Sequence, residues 1–335
     1  MGAKAKARSC SLLSNLTLRP SPLSHRRSPW SPRSIAWRAV LASAPWATSV
    51  TIAALTIIPL AVLEFGHVPP RARPHDVYDA TIARPLRPNT VPSAAAIFVP
   101  LLLALASAVF GEACLRRAVN GCATAAAAGV LYTACDAVSA LLTTGLLTEA
   151  TKLGVGWLRP YFLAACAPAV DAAAAGIALN IGGAGGGAPP CTAPAAAQRP
   201  ARLSFPSGHT STSTVSAAFA ATYLLWAAAT GLRRVRGGGP AAPAPAASPR
   251  ARDFVLSLAL LASLAQLSLA WGIGATRLND FRHHPADVVG GFVLGGVVGG
   301  MFAVRSIVGR GLAGVGGSVG DKGGGGEGED GAAAV

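Results

Sequence analysis

Six apolar segments, each close to the length of a membrane-spanning helix, alternate with polar or Gly/Pro-rich stretches along the chain. They lie at about residues 44–65, 91–110, 123–148, 210–230, 254–273 and 287–304. An α-helix needs about 20 mostly apolar residues to cross the roughly 30 Å hydrocarbon core of a bilayer. The pattern therefore predicts an all-α integral membrane protein, built as a bundle of six transmembrane helices.

The composition agrees with a membrane protein and argues against a nucleic-acid partner. Of the 335 residues, 52% are hydrophobic and only 13% are charged, whereas soluble domains contain about 25% charged residues. The net charge is +14, but much of the basic charge lies in short segments between the apolar ones. Such a distribution is typical of membrane topology rather than of a nucleic-acid-binding surface.

The distribution of basic residues predicts the orientation of the helices. Lys and Arg collect before the first apolar segment and in the second and fourth loops, and the positive-inside rule places these parts in the cytoplasm. The first, third and fifth loops would then face a lumen or the cell exterior. Four arginines of the first loop run against this assignment: Arg71, Arg73, Arg84 and Arg87.

We expect one six-helix domain over residues 44–304. It would follow a basic, disordered cytosolic segment, residues 1–43, and precede a Gly-rich disordered tail, residues 305–335. An organelle transit segment is the alternative for the acid-free N-terminus.

Two features inside the domain leave alternatives open. Asp136 interrupts the third apolar segment, where a charge costs about 2.5–3.5 kcal/mol, so we expect it to face protein or a wet cavity. A structural hydrogen bond between helices is favoured over a role in chemistry. Cys166 and Cys191 share the third loop, where a disulfide is permitted, and either a bridge or two free thiols fits the sequence.

The first charged motif lies at the end of the third apolar segment, in "TKLGVGWLRPYF". Lys152 and Arg159 are seven residues apart, which is about two helical turns, so both cations project from one side. Two such cations favour an anionic ligand. Alternatively, they anchor the helix end at the lipid headgroups by snorkelling.

The second motif is "PSGH", residues 206–209, at the start of the fourth apolar segment. Gly208 allows a ligand to approach the backbone closely, and the free N–H groups of a helix that starts near Ser207 form a seat for phosphate. His209 would stand beside this seat. The alternative is a simple N-cap, Ser207, followed by an interfacial histidine.

The third motif lies between the fifth and sixth apolar segments, in "ATRLNDFRHHPADVVGG". Arg277 offers a planar fork for phosphate oxygens. Asp287 follows His283 by four residues and would hold one ring nitrogen protonated, leaving the other free to attack. Asp287 could instead be an acid that the helix dipole favours. All three motifs fall on the same expected membrane face, which makes a joint phosphate site the better interpretation.

These motifs resemble the signature of the type 2 phosphatidic acid phosphatase (PAP2) superfamily, and within it the lipid phosphate phosphatases. The signature K-x6-R-P, P-S-G-H and S-R-x5-H-x3-D appears as residues 152–160, 206–209 and 276–287. "RPNTVP" before the second apolar segment is similar as well. Thr276 replaces the usual Ser, and Trp157 stands where relatives often have a basic residue, which bears on substrate preference more than on catalysis.

The resemblance implies a fold and a role for each matching residue. The fold would be a helical bundle of the PAP2 and haloperoxidase type. His283 would be the nucleophile that forms a phosphohistidine, oriented by Asp287, and His209 the general acid for the leaving alcohol. The phosphate cradle would consist of five residues: Lys152, Arg159, Ser207, Gly208 and Arg277.

The expected activity is a Mg²⁺-independent phosphatase for lipid phosphates such as phosphatidic acid, lysophosphatidic acid or diacylglycerol pyrophosphate. We expect no cofactor and no metal, because the cysteines lack metal-ligand spacing and this face lacks the acidic clusters that bind Mg²⁺. A polyprenyl diphosphate or sugar phosphate phosphatase is the alternative enzyme, and a catalytically silent lipid-binding scaffold is the alternative of another class.

The expected location is an endomembrane, vacuolar or plasma membrane, with the active site on the lumenal or extracellular side. The sequence leaves the oligomeric state open.

Overall fold

A computed structural model describes residues 35–42, 45–65, 68–116, 123–167, 191–231 and 248–319. These residues form helices and connecting loops, and no β-sheet occurs among them. The nine α-helices of this part of the chain are α1 Trp37–Ala42, α2 Trp46–Phe65, α3 Ser93–Phe110, α4 Ala123–Val155, α5 Phe162–Cys166, α6 Ala195–Ala201, α7 Gly208–Gly231, α8 Pro249–Asn279 and α9 Pro285–Val319. A π-helical turn, Gly111–Leu115, continues α3.

Six of these helices, α2, α3, α4, α7, α8 and α9, are long and apolar enough to cross a membrane. This confirms the predicted all-α fold class. Large apolar side chains remain exposed along α2, α8 and α9, including Leu55, Ile58, Leu261, Val293 and Met301, all more than 59% exposed. A surface of this kind suits contact with lipid tails rather than with water.

Helix α7 is the centre of the bundle and packs against α3, α4, α8 and α9. It is rich in Ser and Thr, whose hydroxyls bond within the helix or between helices. Thr148 of α4 and Ser211 of α7, for example, share a hydrogen bond of 2.9 Å between their hydroxyl oxygens. The polar face of α7 is therefore buried, and its apolar residues complete the core.

Glycines bring α7 and α9 into close contact. A Cβ at Gly291, Gly295 or Gly299 would lie 2.4–2.9 Å from a backbone oxygen atom of α7 or of Ser207, the residue that directly precedes it. Small residues at every fourth position let two helix backbones approach where larger side chains would collide. The glycines thus place the N-terminal ends of α7 and α9 next to each other.

Asp136 is fully buried and forms an ion pair with Arg305 of α9. The expected bond between helices is therefore present. Helix α9 continues past residue 304, the expected end of the domain, and uses Arg305 to neutralise the buried carboxylate. The part of the predicted disordered tail that follows Val319 lies outside the described residues.

The described residues 35–42 belong to the predicted N-terminal segment 1–43 and include helix α1. Helix α1 packs on α4, with Ala39 and Val40 buried. The backbone N–H of Ala36 donates a 3.1 Å hydrogen bond to the hydroxyl of Thr124. The remainder of the segment up to residue 34, to which the expectation of a transit segment or a cytosolic tail applies, lies outside the described residues.

Candidate active site

One end of the bundle gathers the three motifs around a cavity of about 610 Å³. The end of α4, the start of α7, the end of α8 and the short turn before α9 all contribute to it. Six of the eight residues predicted for the site line the cavity: Lys152, Arg159, Gly208, His209, Arg277 and His283. The other two, Ser207 and Asp287, are fully buried behind the wall.

The two cations of the first motif lie on either side of a turn in the backbone: Lys152 is in α4, and Arg159 follows the turn. Gly156 has a φ of +59°, and a Cβ there would lie 2.0 Å from the carbonyl oxygen of Arg71. Only glycine fits such a position without strain. The chain then turns so that Arg159 reaches the carbonyl oxygen of Leu203 with Nε at 3.3 Å and Nη2 at 3.2 Å.

Lys152 lies against the start of α7. Its Nζ donates a 2.6 Å hydrogen bond to Glu149 and would be 3.1 Å from a Cβ at Gly208. The glycine of the second motif therefore makes room for the ammonium group. Burial lowers the pKa of Arg159, the second cation of this motif, although a guanidinium remains protonated at any physiological pH.

The second motif begins with a cis peptide bond between Phe205 and Pro206. The backbone N–H of Ser207 donates a 2.9 Å hydrogen bond to the carbonyl oxygen of Asp287. This N–H is consequently not one of the free groups that we predicted at the helix start. The Ser207 hydroxyl accepts a 3.0 Å hydrogen bond from the Thr210 hydroxyl.

Arg277 is 1% exposed, and neighbouring oxygens hold its guanidinium in place. Nη2 donates to Asp280 at 2.9 Å, Nη1 donates to Asn89 at 3.1 Å, and Nε donates to the Thr276 hydroxyl at 3.1 Å. The hydroxyl that Thr276 shares with the usual Ser is thus used to orient the arginine. Such fixation reduces the entropy that the side chain would lose on binding an anion.

His283 projects into the cavity from the turn between α8 and α9. Its Nδ1 lies 3.5 Å from Oδ2 of Asp287, which leaves Nε2 as the nitrogen remote from the carboxylate. The neighbouring His284 instead directs Nε2 to the carbonyl oxygen of Leu158 at 3.1 Å. His283 is among the residues that line the cavity, and His284 is not.

The environment of His283 favours its neutral form. Burial lowers the pKa of the imidazole most, and the nearby positive charge of Arg159 lowers it further, while Asp287 acts in the opposite direction. A neutral imidazole has a lone pair available for attack on phosphorus. Burial thus favours the neutral ring, which is the form that the predicted role as a nucleophile would require.

Several residues at the site have no counterpart among the predicted ones. The i, i+3 spacing of Glu149 with Lys152 and of Asp280 with Arg277 could have predicted those two ion pairs. Ser204 is different: its hydroxyl donates a 2.5 Å hydrogen bond to Oδ2 of Asp287, 83 positions away. No sequence signal connects residues that far apart.

The third loop is closed by a disulfide between Cys166 and Cys191, the pairing that the sequence left open. The disulfide lies at the same end of the bundle as the cavity. Phe162 and Leu158 pack with Cys166 in a small apolar cluster, which supports the chain segment that carries Arg159.

Comparison with known proteins agrees with this geometry. The PAP2 superfamily matches residues 133–307 of the chain. Phospholipid phosphatase-related protein type 1 of Homo sapiens is 30% identical over 161 residues, 47% of this chain and 41% of that protein. Lipid phosphate phosphatase 2 of Arabidopsis thaliana is 30% identical over 155 residues, 46% of this chain and 44% of that protein.

Phospholipid phosphatase 1 of Rattus norvegicus is 28% identical over 155 residues, 45% of this chain and 44% of that protein. The chain thus spans less than half the length of each of these relatives. No solved structure gives a significant match. Because the matched segment covers just over half of the chain and carries all eight residues predicted for the site, this protein belongs to the PAP2 superfamily.

Proposed function

We propose that this protein is a lipid phosphate phosphatase that needs no divalent metal and works through a phosphohistidine intermediate. The observation that carries the proposal is the mixed lining of a single cavity. Cations, both histidines and the carboxylates of Glu64 and Glu149 line it, together with apolar residues of α2, α3 and α4: Ile57, Leu60, Ala61, Ile97 and Leu142. A lipid phosphate likewise combines a charged head with apolar chains.

The cations support stabilisation of a transferring phosphoryl group. Lys152, Arg159 and Arg277 all border the cavity, and fixed positive charges are most effective where charge develops on phosphoryl oxygens. Phosphoryl transfer requires little covalent chemistry from the protein beyond positioning and electrostatics. These side chains would therefore take the place that a metal ion has in other phosphatases.

The first chemical step would be attack by Nε2 of His283 on phosphorus. A P–N bond forms, the ester P–O bond breaks, and the leaving alkoxide takes a proton from His209. Asp287 would stabilise the positive charge that develops on the His283 ring, since its carboxylate faces Nδ1. General acid catalysis of this type contributes about 10²- to 10⁴-fold.

The second step would hydrolyse the phosphohistidine. Water gives its proton to His209, now neutral, and its oxygen attacks phosphorus as the P–N bond breaks. Inorganic phosphate leaves, and both imidazoles return to their initial protonation states. The cycle consumes one water and one lipid phosphate and yields an alcohol and phosphate.

A lumenal or extracellular position of the site has two independent supports. The positive-inside rule places the second and fourth loops in the cytoplasm, which puts the first, third and fifth loops on the other side. The Cys166–Cys191 disulfide lies in the third loop, and disulfides persist in oxidising compartments.

The test is release of inorganic phosphate from phosphatidic acid by detergent-purified protein in the presence of a chelator. We expect turnover in wild type and none in His283→Ala. A panel that includes a polyprenyl diphosphate and a sugar phosphate identifies the preferred class. Absence of turnover on every substrate would favour a lipid-binding scaffold, and activity that disappears with the chelator would contradict the metal-free mechanism.

A further inference from the structure

The end of the first loop, residues 87–92, contacts the second and third motifs although it lies outside the segment that matches the PAP2 superfamily. Asn89 lines the cavity and accepts the 3.1 Å hydrogen bond from Nη1 of Arg277. The carbonyl oxygen of Val91 lies 3.2 Å from Nε2 of His209. This stretch therefore contacts both a phosphate-binding cation and the proposed general acid.

Thr90 and Asp280 join this stretch to the third motif. The Thr90 hydroxyl donates a 2.5 Å hydrogen bond to Oδ1 of Asp280, and the Thr90 backbone N–H donates a 2.8 Å hydrogen bond to Oδ2. Oδ2 also accepts from Nη2 of Arg277 at 2.9 Å. Asp280 is only 3% exposed, so the carboxylate is held on both sides within protein.

The charge of Asp280 is well supported at this position. Burial raises the pKa of the carboxyl, but the two hydrogen bonds from Thr90 and the charge of Arg277 bring it below its ordinary value. An ionised carboxylate forms stronger hydrogen bonds than a neutral acid does. The Thr90–Asp280 contact is therefore a charge-assisted pair between an exposed threonine and a buried carboxylate.

The stretch is also stiff, so a bond at Thr90 fixes the carbonyl that follows. Pro88 and Pro92 enclose it, and a residue before proline is restricted to extended conformations. Helix α3 begins at Ser93 directly after Pro92. The position of the Val91 carbonyl thus depends on the adjacent Thr90 anchor.

We propose that Thr90 and Asp280 are positioning residues for the reaction. Together they hold Arg277 for the phosphate, and through the Val91 carbonyl they hold the His209 ring at the cavity wall. A hydrogen bond from an imidazolium to a carbonyl stabilises the protonated ring, which is the form that gives its proton to the leaving oxygen. The inference rests on the proposed function.

The experiment compares two phosphate esters that differ in their need for a general acid. Phosphatidic acid releases a basic alkoxide, which requires a proton, whereas p-nitrophenyl phosphate releases a weakly basic phenolate, which does not. We expect Thr90→Val to lower kcat for phosphatidic acid about 10-fold or more and kcat for p-nitrophenyl phosphate much less. A loosened Arg277 would also raise KM for both esters.

Four further variants complete the design. Thr90→Ser keeps the hydroxyl and should restore the wild-type ratio of the two kcat values. The double variant Asp280→Asn/Thr90→Val should lose less activity than the sum of the losses in the two single variants, because both substitutions weaken the same Thr90–Asp280 interaction. Thr81→Val is the matched control, because its hydroxyl donates a 2.6 Å hydrogen bond to Asp79 within the same loop and on the exposed surface.

The outcomes separate the inference from the proposed function. Equal losses of kcat on the two esters in Thr90→Val, or a loss of kcat no larger than in Thr81→Val, would overturn the positioning role. Turnover by the wild-type protein would still uphold the proposed function. Wild-type protein that releases phosphate from neither ester would overturn both. A thermal melting temperature of Thr90→Val close to that of wild type is expected, and a collapse of that temperature would assign Thr90 to the fold instead.

Discussion

The buried hydroxyl of Ser204 donates a 2.5 Å hydrogen bond to Oδ2 of Asp287, the same oxygen that faces Nδ1 of His283 at 3.5 Å. The backbone N–H of His284 donates to this oxygen as well, at 2.8 Å. Asp287 is thus oriented by Ser204, which is far from it along the chain, and by His284, which is three positions before it. Its carboxylate is fixed before any substrate is bound.

Ser204→Ala should therefore reduce activity without a large change in KM. Hydrogen bonds to a charged group contribute about 1.5–3 kcal/mol, so we expect a decrease in kcat of about 10- to 100-fold. Steady-state kinetics with phosphatidic acid measures it. Ser263→Ala is the control, because Ser263 is equally buried in α8 but bonds to the Ala259 carbonyl of its own helix. Similar losses in the two variants would argue against the orienting role.

The adjacent histidines should behave differently when each is replaced. His283→Ala removes the proposed nucleophile and should abolish formation of phosphohistidine, which acid-labile, base-stable ³²P labelling detects. His284→Ala removes a hydrogen bond to the Leu158 carbonyl, worth about 0.5–1.5 kcal/mol, and should retain turnover. A labelled, active His283→Ala protein would refute the assignment of the nucleophile.

The pH dependence of kcat/KM should reflect the shifted pKa of His283. Burial, followed by the charge of Arg159, lowers this pKa from its ordinary value of 6.5, so the free enzyme keeps a neutral nucleophile at mildly acidic pH. Activity should consequently be retained below pH 6.5 and decline only as the pH falls through the lowered pKa. The free energy of unfolding should also decrease as the pH falls, because the histidine of the unfolded chain takes up its proton at a higher pH than the buried one does.

Arg159→Gln tests the electrostatic part of this shift. Loss of the positive charge should move the acid limb of the profile to higher pH, in addition to lowering the maximum rate. The phosphate of the substrate titrates identically with both proteins, so the difference between the two profiles isolates the enzyme. An acid limb that does not move would show that the charge of Arg159 does not contribute to the lowered pKa of His283.

Glycines of α9 should tolerate substitution according to what they face. A Cβ at Gly295 would lie 2.5 Å from the Ser211 carbonyl oxygen, whereas nothing lies within 4 Å of one at Gly296. We expect Gly295→Ala to destabilise the bundle by about 1–3 kcal/mol and Gly296→Ala to be neutral or stabilising by up to about 1 kcal/mol. Thermal unfolding in detergent, followed by tryptophan fluorescence, compares the two. Equal melting temperatures would mean that α7 and α9 do not pack as closely as described.

The amino-acid pattern alone was sufficient for the coarse architecture. Runs of about 20 apolar residues lead to spanning helices, because unpaired backbone groups are not tolerated in hydrocarbon. Asp136 was expected to face protein for the same reason, although its partner was not predictable. Arg305 lies 169 positions away, and the Gly-rich sequence after it favoured a tail.

The six cavity-lining residues of the predicted site, such as Lys152, His209 and His283, belong to compact motifs whose chemistry is recognisable from residue type and spacing. Spacing along the chain is sufficient to recognise such motifs, since residues one or two helical turns apart share a face. The residues that hold these groups in place were not among those predicted for the site. Ser204, Thr90 and Asn89 are ordinary polar residues in loops, and their partners lie 83 to 190 positions away.

The sequence by itself determined which segments cross the membrane and which charged groups could bind a phosphate, because hydrophobic length and helical periodicity are properties of neighbouring residues. Only the tertiary structure decided how those groups are oriented. The distances between Thr90 and Asp280 and between Ser204 and Asp287 result from the packing of separate helices and loops, and packing depends on contacts between residues that are far apart along the chain.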